Sequence, residues 1–216
     1  MKRTIKWNIA QKAERTWWQR YLKGKDVAAY QTWKRAYWQG ILNSIADAAP
    51  VLPGMDILDA GCGPAGIFMN LEGCQVDAVD PLLDSYAADL PHFKSDMYPY
   101  STFHAIPMEQ FTTDHRYDIV FCMNAINHVY NIGTSYDLLT NLLKPGGKLV
   151  VSIDAHNHKF FKHLFRMIPG DILHPHQYDL AEYACFLTSR SCRIVQTERI
   201  KHEFFFDHYV QVAEKQ

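Results

Sequence analysis

The chain has 216 residues, 48% of them hydrophobic, and a formal net charge of -1. This length and apolar content fit one folded domain with a small appendage and exclude global disorder, while the near-zero charge gives no whole-chain signal for a nucleic-acid partner. No apolar run is long enough to span a bilayer, and the charged N-terminus lacks the apolar core of a signal peptide. The five cysteines form no C-x-x-C pair, which argues against a disulfide framework or cysteine zinc site and for a reducing, cytoplasmic setting.

Charge is uneven along the chain. Residues 1–35 hold ten Lys/Arg against two acids, Glu14 and Asp26, and all five tryptophans lie at or before Trp38. The spacing predicts a helix over 8–22, with Ile9, Ala13, Trp17 and Tyr21 on one stripe and Gly24 ending it. A second helix over 26–47 carries Tyr30, Trp33, Tyr37, Ile41 and Ile45 on one face, closed by Pro50 and Pro53-Gly54. Residues 1–48 thus read as a helical extension or lid on a domain over 49–216.

From there the rhythm alternates. Strands are predicted over 55–60, 75–79, 102–106, 117–123 and 148–153, with helices over 64–71, 82–89 and 132–143. Lys144-Pro145-Gly146-Gly147 stops the last of these. Asp179 and Glu182 suit a capping box opening a helix over 179–190. Final strands follow over 192–200 and 203–213, where Phe204, Phe206, His208, Val210 and Val212 alternate. The pattern is α/β, with a mostly parallel sheet. The last two strands lack a helix between them, so one must run antiparallel.

The first strand enters Gly61-Cys62-Gly63-Pro64-Ala65-Gly66, a G-x-G-x-x-G loop that lets backbone approach a ligand. Asp80, ending the second strand, is placed to accept both hydroxyl hydrogens of a ribose. The glycines alone suit NAD equally well. Asp59 beside the loop would repel a pyrophosphate but suits an ammonium and a sulfonium, and Pro64 removes a phosphate-cradling N–H.

These residues carry a resemblance. Ile57-Leu58-Asp59-Ala60-Gly61-Cys62-Gly63 resembles the first motif of class I S-adenosylmethionine-dependent methyltransferases, and Val76-Asp77-Ala78-Val79-Asp80 the second. Tyr117-Asp118-Ile119-Val120 and Leu142-Leu143-Lys144-Pro145-Gly146-Gly147 resemble two later ones. The resemblance spans about 55–153. It implies a Rossmann-like seven-stranded sheet with the last strand antiparallel and helices on both faces. It also implies that S-adenosylmethionine is the cofactor and S-adenosylhomocysteine the product. By the same resemblance, Gly61 and Gly63 lie under the cofactor, Asp59 faces its methionine part, Asp80 holds the ribose, Pro107-Met108-Glu109 border the adenine and Met123 lines the methionine portion, with Ala60 and Pro81 also counted in the cofactor site.

Cys122-Met123-Asn124-Ala125-Ile126-Asn127-His128-Val129 is similar to the matching stretch of the ubiquinone-pathway O-methyltransferases. Those enzymes have carboxylates where this chain has Asn124 and Asn127, and asparagine is a poorer ligand for a hard cation, so no metal is expected. Asn124 and His128 should face the acceptor. His128 is the candidate base for a hydroxyl proton, its ordinary pKa lying near neutrality; the bland alternative is a pocket-lining histidine. His156, His158, His174 and His176 read as solvated loop residues, and 174–178 as a stretch able to wall the acceptor pocket.

For the basic, tryptophan-rich start, simple packing or a lid over the acceptor competes with contact to an anionic membrane surface and with nucleic acid held by stacking rings. The site segment lacks the Asn/Asp-Pro-Pro-aromatic motif of base and glutamine methyltransferases. The expected activity is O-methylation of a small-molecule, lipid-like or sugar-like acceptor. Methylation of RNA or protein, a non-catalytic binding module and an NAD-dependent oxidoreductase are the alternatives. Nothing in the sequence indicates the oligomeric state.

Overall fold

The computed structural model describes residues 5–156, 178–204 and 206–216. Two helices open it, α1 (Ile5–Leu22) and α2 (Val27–Ser44). Asp26 accepts a 2.8 Å hydrogen bond from the Ala29 amide and so satisfies one of the orphan N–H groups at the start of α2.

Seven strands follow: β1 (Asp56–Ala60), β2 (Gln75–Val79), β3 (Ser101–His104), β4 (Tyr117–Cys122), β5 (Leu143–His156), β6 (Cys192–His202) and β7 (Phe206–Lys215). Their order in the sheet is β3-β2-β1-β4-β5-β7-β6. β1 pairs in parallel with β2 and β4, and β4 with β5. β7 runs antiparallel between β5 and β6, as the missing helix between the last strands requires. The sheet is the expected Rossmann-like one, with helices present at the N-terminus.

Successive residues of a strand point to opposite faces, and here both faces are covered. Ile57, Phe121 and Val212 pack with Trp38 and Ile41 of α2, with Ile45 just after it, and with Leu83 and Tyr86 of α3 (Leu83–Asp89). Leu58, Val120 and Leu149 pack on the other face, against α4 (Ile132–Asn141) and α5 (Leu180–Thr188) through Tyr136, Leu139, Tyr183 and Leu187. The expected capping box opens α5: the Glu182 amide donates to Asp179 Oδ1 at 3.0 Å, and the Asp179 amide to Glu182 Oε2 at 2.9 Å. From β1 the chain builds outward through β2 and β3, then crosses back to β4 and β5. A crevice therefore opens at the carboxyl ends of β1 and β4, where the strand order reverses.

Four expectations are corrected. The stretch 64–71 is not an α-helix but two 3-10 turns, Gly63–Ala65 and Ile67–Asn70. Gly66 is extended between them (φ -74°, ψ -180°), and the Asp59 carboxylate takes the Phe68 amide that a helix would have used. The expected α1 stripe is not its buried face: Ile9 is 50% and Trp17 49% exposed, while Trp18, Tyr21 and Leu22 pack inward. β5 begins at Leu143, so Pro145 and both glycines lie inside a strand whose pairing with β4 shifts register between Tyr117 and Ile119. In β7, Val210, Gln211, Val212 and Ala213 are all buried; a strand flanked on both sides and covered on both faces does not alternate.

Candidate functional site

β1 ends in Asp59 and Ala60, and the chain turns at Gly61 and Gly63, both in the left-handed region (φ +75° and +58°). A Cβ on Gly61 would stand 2.3 Å from Ala125 Cβ. Only glycine lets the loop pass beneath the segment that follows β4. Asp59 is 1% exposed and accepts the Phe68 amide at 3.0 Å. Burial pushes its carboxyl up to about 7, against the pull of the loop amides. Gly66 is small for the same reason, since a Cβ there would meet Asp59 Oδ2 at 2.5 Å.

Asp80 follows β2 directly. It accepts the Gly63 amide at 3.0 Å and the Leu82 amide at 2.8 Å, so one carboxylate links the two strand ends. Its carboxyl also rises to about 7, through burial first and the nearby Glu14 second. Glu14 comes from α1. It accepts the Tyr86 hydroxyl at 3.4 Å, and burial raises its pKa as well.

Above the loop lies a cavity of about 460 Å³, within the usual size of small-molecule sites. Its floor is Gly61, Cys62, Gly63 and Ala65, with Asp80 and Pro81 beside them. One side is Pro107, Met108 and Glu109; the end of β4 and the turn after it supply Met123, Asn124, Ala125, His128 and Val129. The roof comes from the N-terminal helices: Trp7, Gln11, Glu14, Trp17, Trp18 and Tyr21 from α1, and Tyr30, Trp33, Lys34 and Trp38 from α2.

The structure thus brings Gly61, Gly63, Asp80, Pro81, Met108, Glu109, Met123, Asn124 and His128 together around this one cavity. Asp59 and Ala60 lie behind the loop, both buried. Glu109 is held by the Tyr130 amide at 2.8 Å and the Ser135 hydroxyl at 3.4 Å. Asn124 sits in the left-handed region (φ +54°). Its amide donates to Ser152 Oγ at 2.6 Å, and that hydroxyl donates back to Asn124 Oδ1 at 3.1 Å. Asn127 is different: it is buried and accepts the Tyr183 hydroxyl at 2.6 Å, so it braces α5 and is not part of the cavity wall.

Among the described residues no three His, Cys, Asp or Glu side chains converge as a metal site. The side chain of His156, and His158, His174, His176 and the stretch 174–177, lie outside the described residues. No helix among the described residues is long and apolar enough to cross a membrane, and all five cysteines are free.

Sequence reasoning missed Gln11, Glu14 and Lys34 as wall residues. For Lys34 a signal existed: Tyr37 and Trp38 stand three and four residues further along the same helix.

A family model described as a methyltransferase domain matches residues 30–201. The chain belongs to this methyltransferase family. The family match, the relatives and the fold together place it among the class I S-adenosylmethionine-dependent methyltransferases. It is 35% identical over 114 residues to a ubiquinone biosynthesis O-methyltransferase of Bradyrhizobium sp. (strain ORS 278), covering 51% of this chain and 44% of that one. Another protein of that description, from Psychrobacter cryohalolentis, is 31% identical over 144 residues, covering 63% and 55%. The methyltransferase spans about half the length of the curated relatives it matches. Its fold is shared with the 1,6-didemethyltoxoflavin-N1-methyltransferase of Burkholderia thailandensis, solved with S-adenosylhomocysteine (TM-score 0.66, 17% identity, covering 100% of this chain and 92% of that one). It is shared too with the magnesium protoporphyrin IX methyltransferase of Synechocystis PCC 6803, solved with S-adenosylmethionine (TM-score 0.63, 16% identity, 100% of both chains).

Proposed function

We propose that the protein binds S-adenosylmethionine in this cavity and methylates an oxygen of a small, planar acceptor. The observation that carries this reading is the cavity itself, with a glycine loop and Asp80 below, aromatic rings above, and Asn124 and His128 between them. The residues fit the cofactor. Glu14, Asp80 and Glu109 make the wall acidic, which suits a sulfonium and an ammonium and disfavours a pyrophosphate.

In this reading Gly61 and Gly63 hold the loop close to the cofactor, Asp80 and Pro81 take the ribose, Met108 and Glu109 border the adenine, and Met123 lines the amino-acid chain. Asp59 and Ala60 act from behind by bracing the loop. When bound, the cofactor supplies a methyl group activated by its sulfonium. The chain then has to align the acceptor and exclude water. The roof rings offer flat faces for stacking, Asn124 is fixed by Ser152 to orient the acceptor, and an imidazole nitrogen of His128 takes the hydroxyl proton. Oxygen as the methylated atom is supported by the relatives described as O-methyltransferases.

Calorimetric titration with S-adenosylhomocysteine, with NAD as control, tests the cofactor. Micromolar binding of the former alone is expected, and binding of NAD alone overturns the reading. Transfer of labelled methyl to a panel of hydroxyaromatics against matched amines tests the acceptor atom.

A further inference from the structure

The solvent-facing sides of the two N-terminal helices differ from those of an ordinary surface helix. Along α2, Ala29, Trp33, Ala36 and Gly40 follow at spacings of four, three and four, so they share one side. All four are exposed, Trp33 to 54%. A helix that meets only water carries its charges there. The charged residues of α2 lie elsewhere: Lys34 lines the cavity, and Arg35 pairs with Glu72 at 3.2 Å. On α1, Ile9, Ala13, Trp17 and Arg20 share a side in the same way, and all four are exposed.

A row of rings joins the two sides. Trp17 stacks on Tyr21 at 4.8 Å, Tyr21 meets Tyr30 edge-on at 6.3 Å, and Tyr30 meets Trp33 at 5.8 Å. Trp17 and Trp33 line the cavity and are half-exposed, so they stand at its mouth. Beside the row lies a basic turn. The Lys25 ammonium is 3.4 Å from the Tyr21 ring centre, and Arg20, Lys23 and Lys25 are exposed and pair with no acid among the described residues. Asp26, the one acid between Glu14 and Asp47, is engaged with the Ala29 amide. An apolar face with tryptophans and a cationic edge fits the boundary between lipid headgroups and acyl chains, where indole rings settle and basic groups meet anionic headgroups. Nucleic acid would need cations along the face itself to track phosphates, whereas the exposed side of α2 carries none. A second copy related by a two-fold axis would bring two basic edges together.

We propose that α1 and α2 seat the protein on an anionic lipid surface, with Ile9, Trp17 and Trp33 entering the headgroup layer and Arg20, Lys23 and Lys25 meeting the anionic headgroups. Charge along the chain favours this orientation. Beyond residue 35 the chain holds twelve Lys/Arg against twenty-one acids, so an anionic surface attracts the helical end and repels the remainder. The cavity then opens onto the bilayer, and in the methyltransferase reading an apolar acceptor dissolved there reaches it without crossing water. The seating itself is independent of that reading.

The test floats the full chain with vesicles of phosphatidylcholine alone and of phosphatidylcholine mixed with phosphatidylglycerol, at low and high salt, and follows tryptophan emission. Binding to the anionic vesicles alone, weakened by salt and accompanied by a blue shift, is expected. Arg20→Gln with Lys23→Gln should weaken it about 30-fold, each basic group near such a surface being worth about fivefold. Ile9→Asp and Ala36→Glu each place a carboxylate on the seated face, and neither residue lines the cavity. Both should abolish vesicle binding, with melting temperatures close to wild type showing that they fold. No binding to anionic vesicles, equal binding to neutral ones, or binding that survives in Ile9→Asp and Ala36→Glu overturns the proposal. So does a dimer in sedimentation that these variants disperse, or a retarded oligonucleotide, where vesicles are not bound: the face then meets a second copy or a nucleic acid. Titration of the same preparations with S-adenosylhomocysteine reports separately on the methyltransferase reading.

Discussion

Trp38 Nε1 and the Ala65 carbonyl oxygen are joined at 2.9 Å, so α2 is tied directly to the glycine loop that it covers. Both groups are buried, and a carbonyl left without its donor there is costly. Trp38→Phe should destabilise the fold by about 1–3 kcal/mol and weaken S-adenosylhomocysteine binding. Urea unfolding and calorimetry on the same preparation check both effects. A stability loss with unchanged affinity would show that the bond serves the fold alone.

Gly61 and Gly40 should respond in opposite ways to the same change. Gly61→Ala forces a side chain into φ +75° and within 2.3 Å of Ala125 Cβ. The backbone strain alone is about 1–3 kcal/mol, and cofactor binding should be lost as the loop shifts. Gly40 lies within α2 with nothing within 4 Å of an added Cβ, so Gly40→Ala should stabilise by up to about 1 kcal/mol. Thermal unfolding of the two variants is the comparison.

Asp59 and Asp80 give the ligand-free protein an unusual pH dependence. Each carboxyl stands at about 7 in the fold against 3.8 when free. Between those values the folded chain keeps protons that the unfolded chain has released. Their contribution is therefore fully present below 3.8 and is lost as pH rises through about 7. Thermal stability without ligand should fall from pH 6 to pH 8. Glu14 adds to the effect at Asp80, so Glu14→Gln should shrink that fall. An equal fall in the variant would show that Glu14 does not act on Asp80.

Lys34 carries the opposite sign. Its pKa falls from 10.5 to about 8 on folding, so a cost is present below pH 8 and is relieved as pH rises toward 10.5. Lys34→Met should therefore raise the melting temperature of the ligand-free protein at pH 7, by about 2–4 °C for each kcal/mol recovered. No rise at pH 7, read by scanning calorimetry, would mean that water already solvates the ammonium.

If His128 takes the acceptor proton, His128→Gln should slow single-turnover methyl transfer by about 10²–10⁴-fold and remove the limb of the pH–rate profile near neutrality. A slower rate with an unchanged profile would make His128 a positioning residue only.

The glycine loop, Asp80 and the β4 end were legible because each depends on residues close together in sequence. Asp59 was legible as a key acid, but it serves the loop from behind the cavity wall. Its direction depends on which amide reaches it first, and Phe68 lies nine positions further along the chain. The exposure of Ile9 and Trp17 was not legible. An apolar stripe shows that a helix has a face, whereas the roof of a polar-edged cavity needed Gln11 and Glu14 on the inner side of α1. Lys34 was only partly legible for a related reason: its aromatic neighbours lie on its own helix, but the cavity it borders includes Asn124 and Ala65, which only the fold brings near.

The family model begins at residue 30, whereas much of the roof comes from α1, which ends at Leu22. Part of the roof is thus outside what this protein shares most plainly with its relatives, while Tyr30, Trp33 and Trp38 lie within it. If the first helix helps to choose the acceptor, exchanging it between two relatives should shift acceptor preference while leaving the methyl donor untouched, and new substrates could arise by that kind of exchange without any change in the glycine loop.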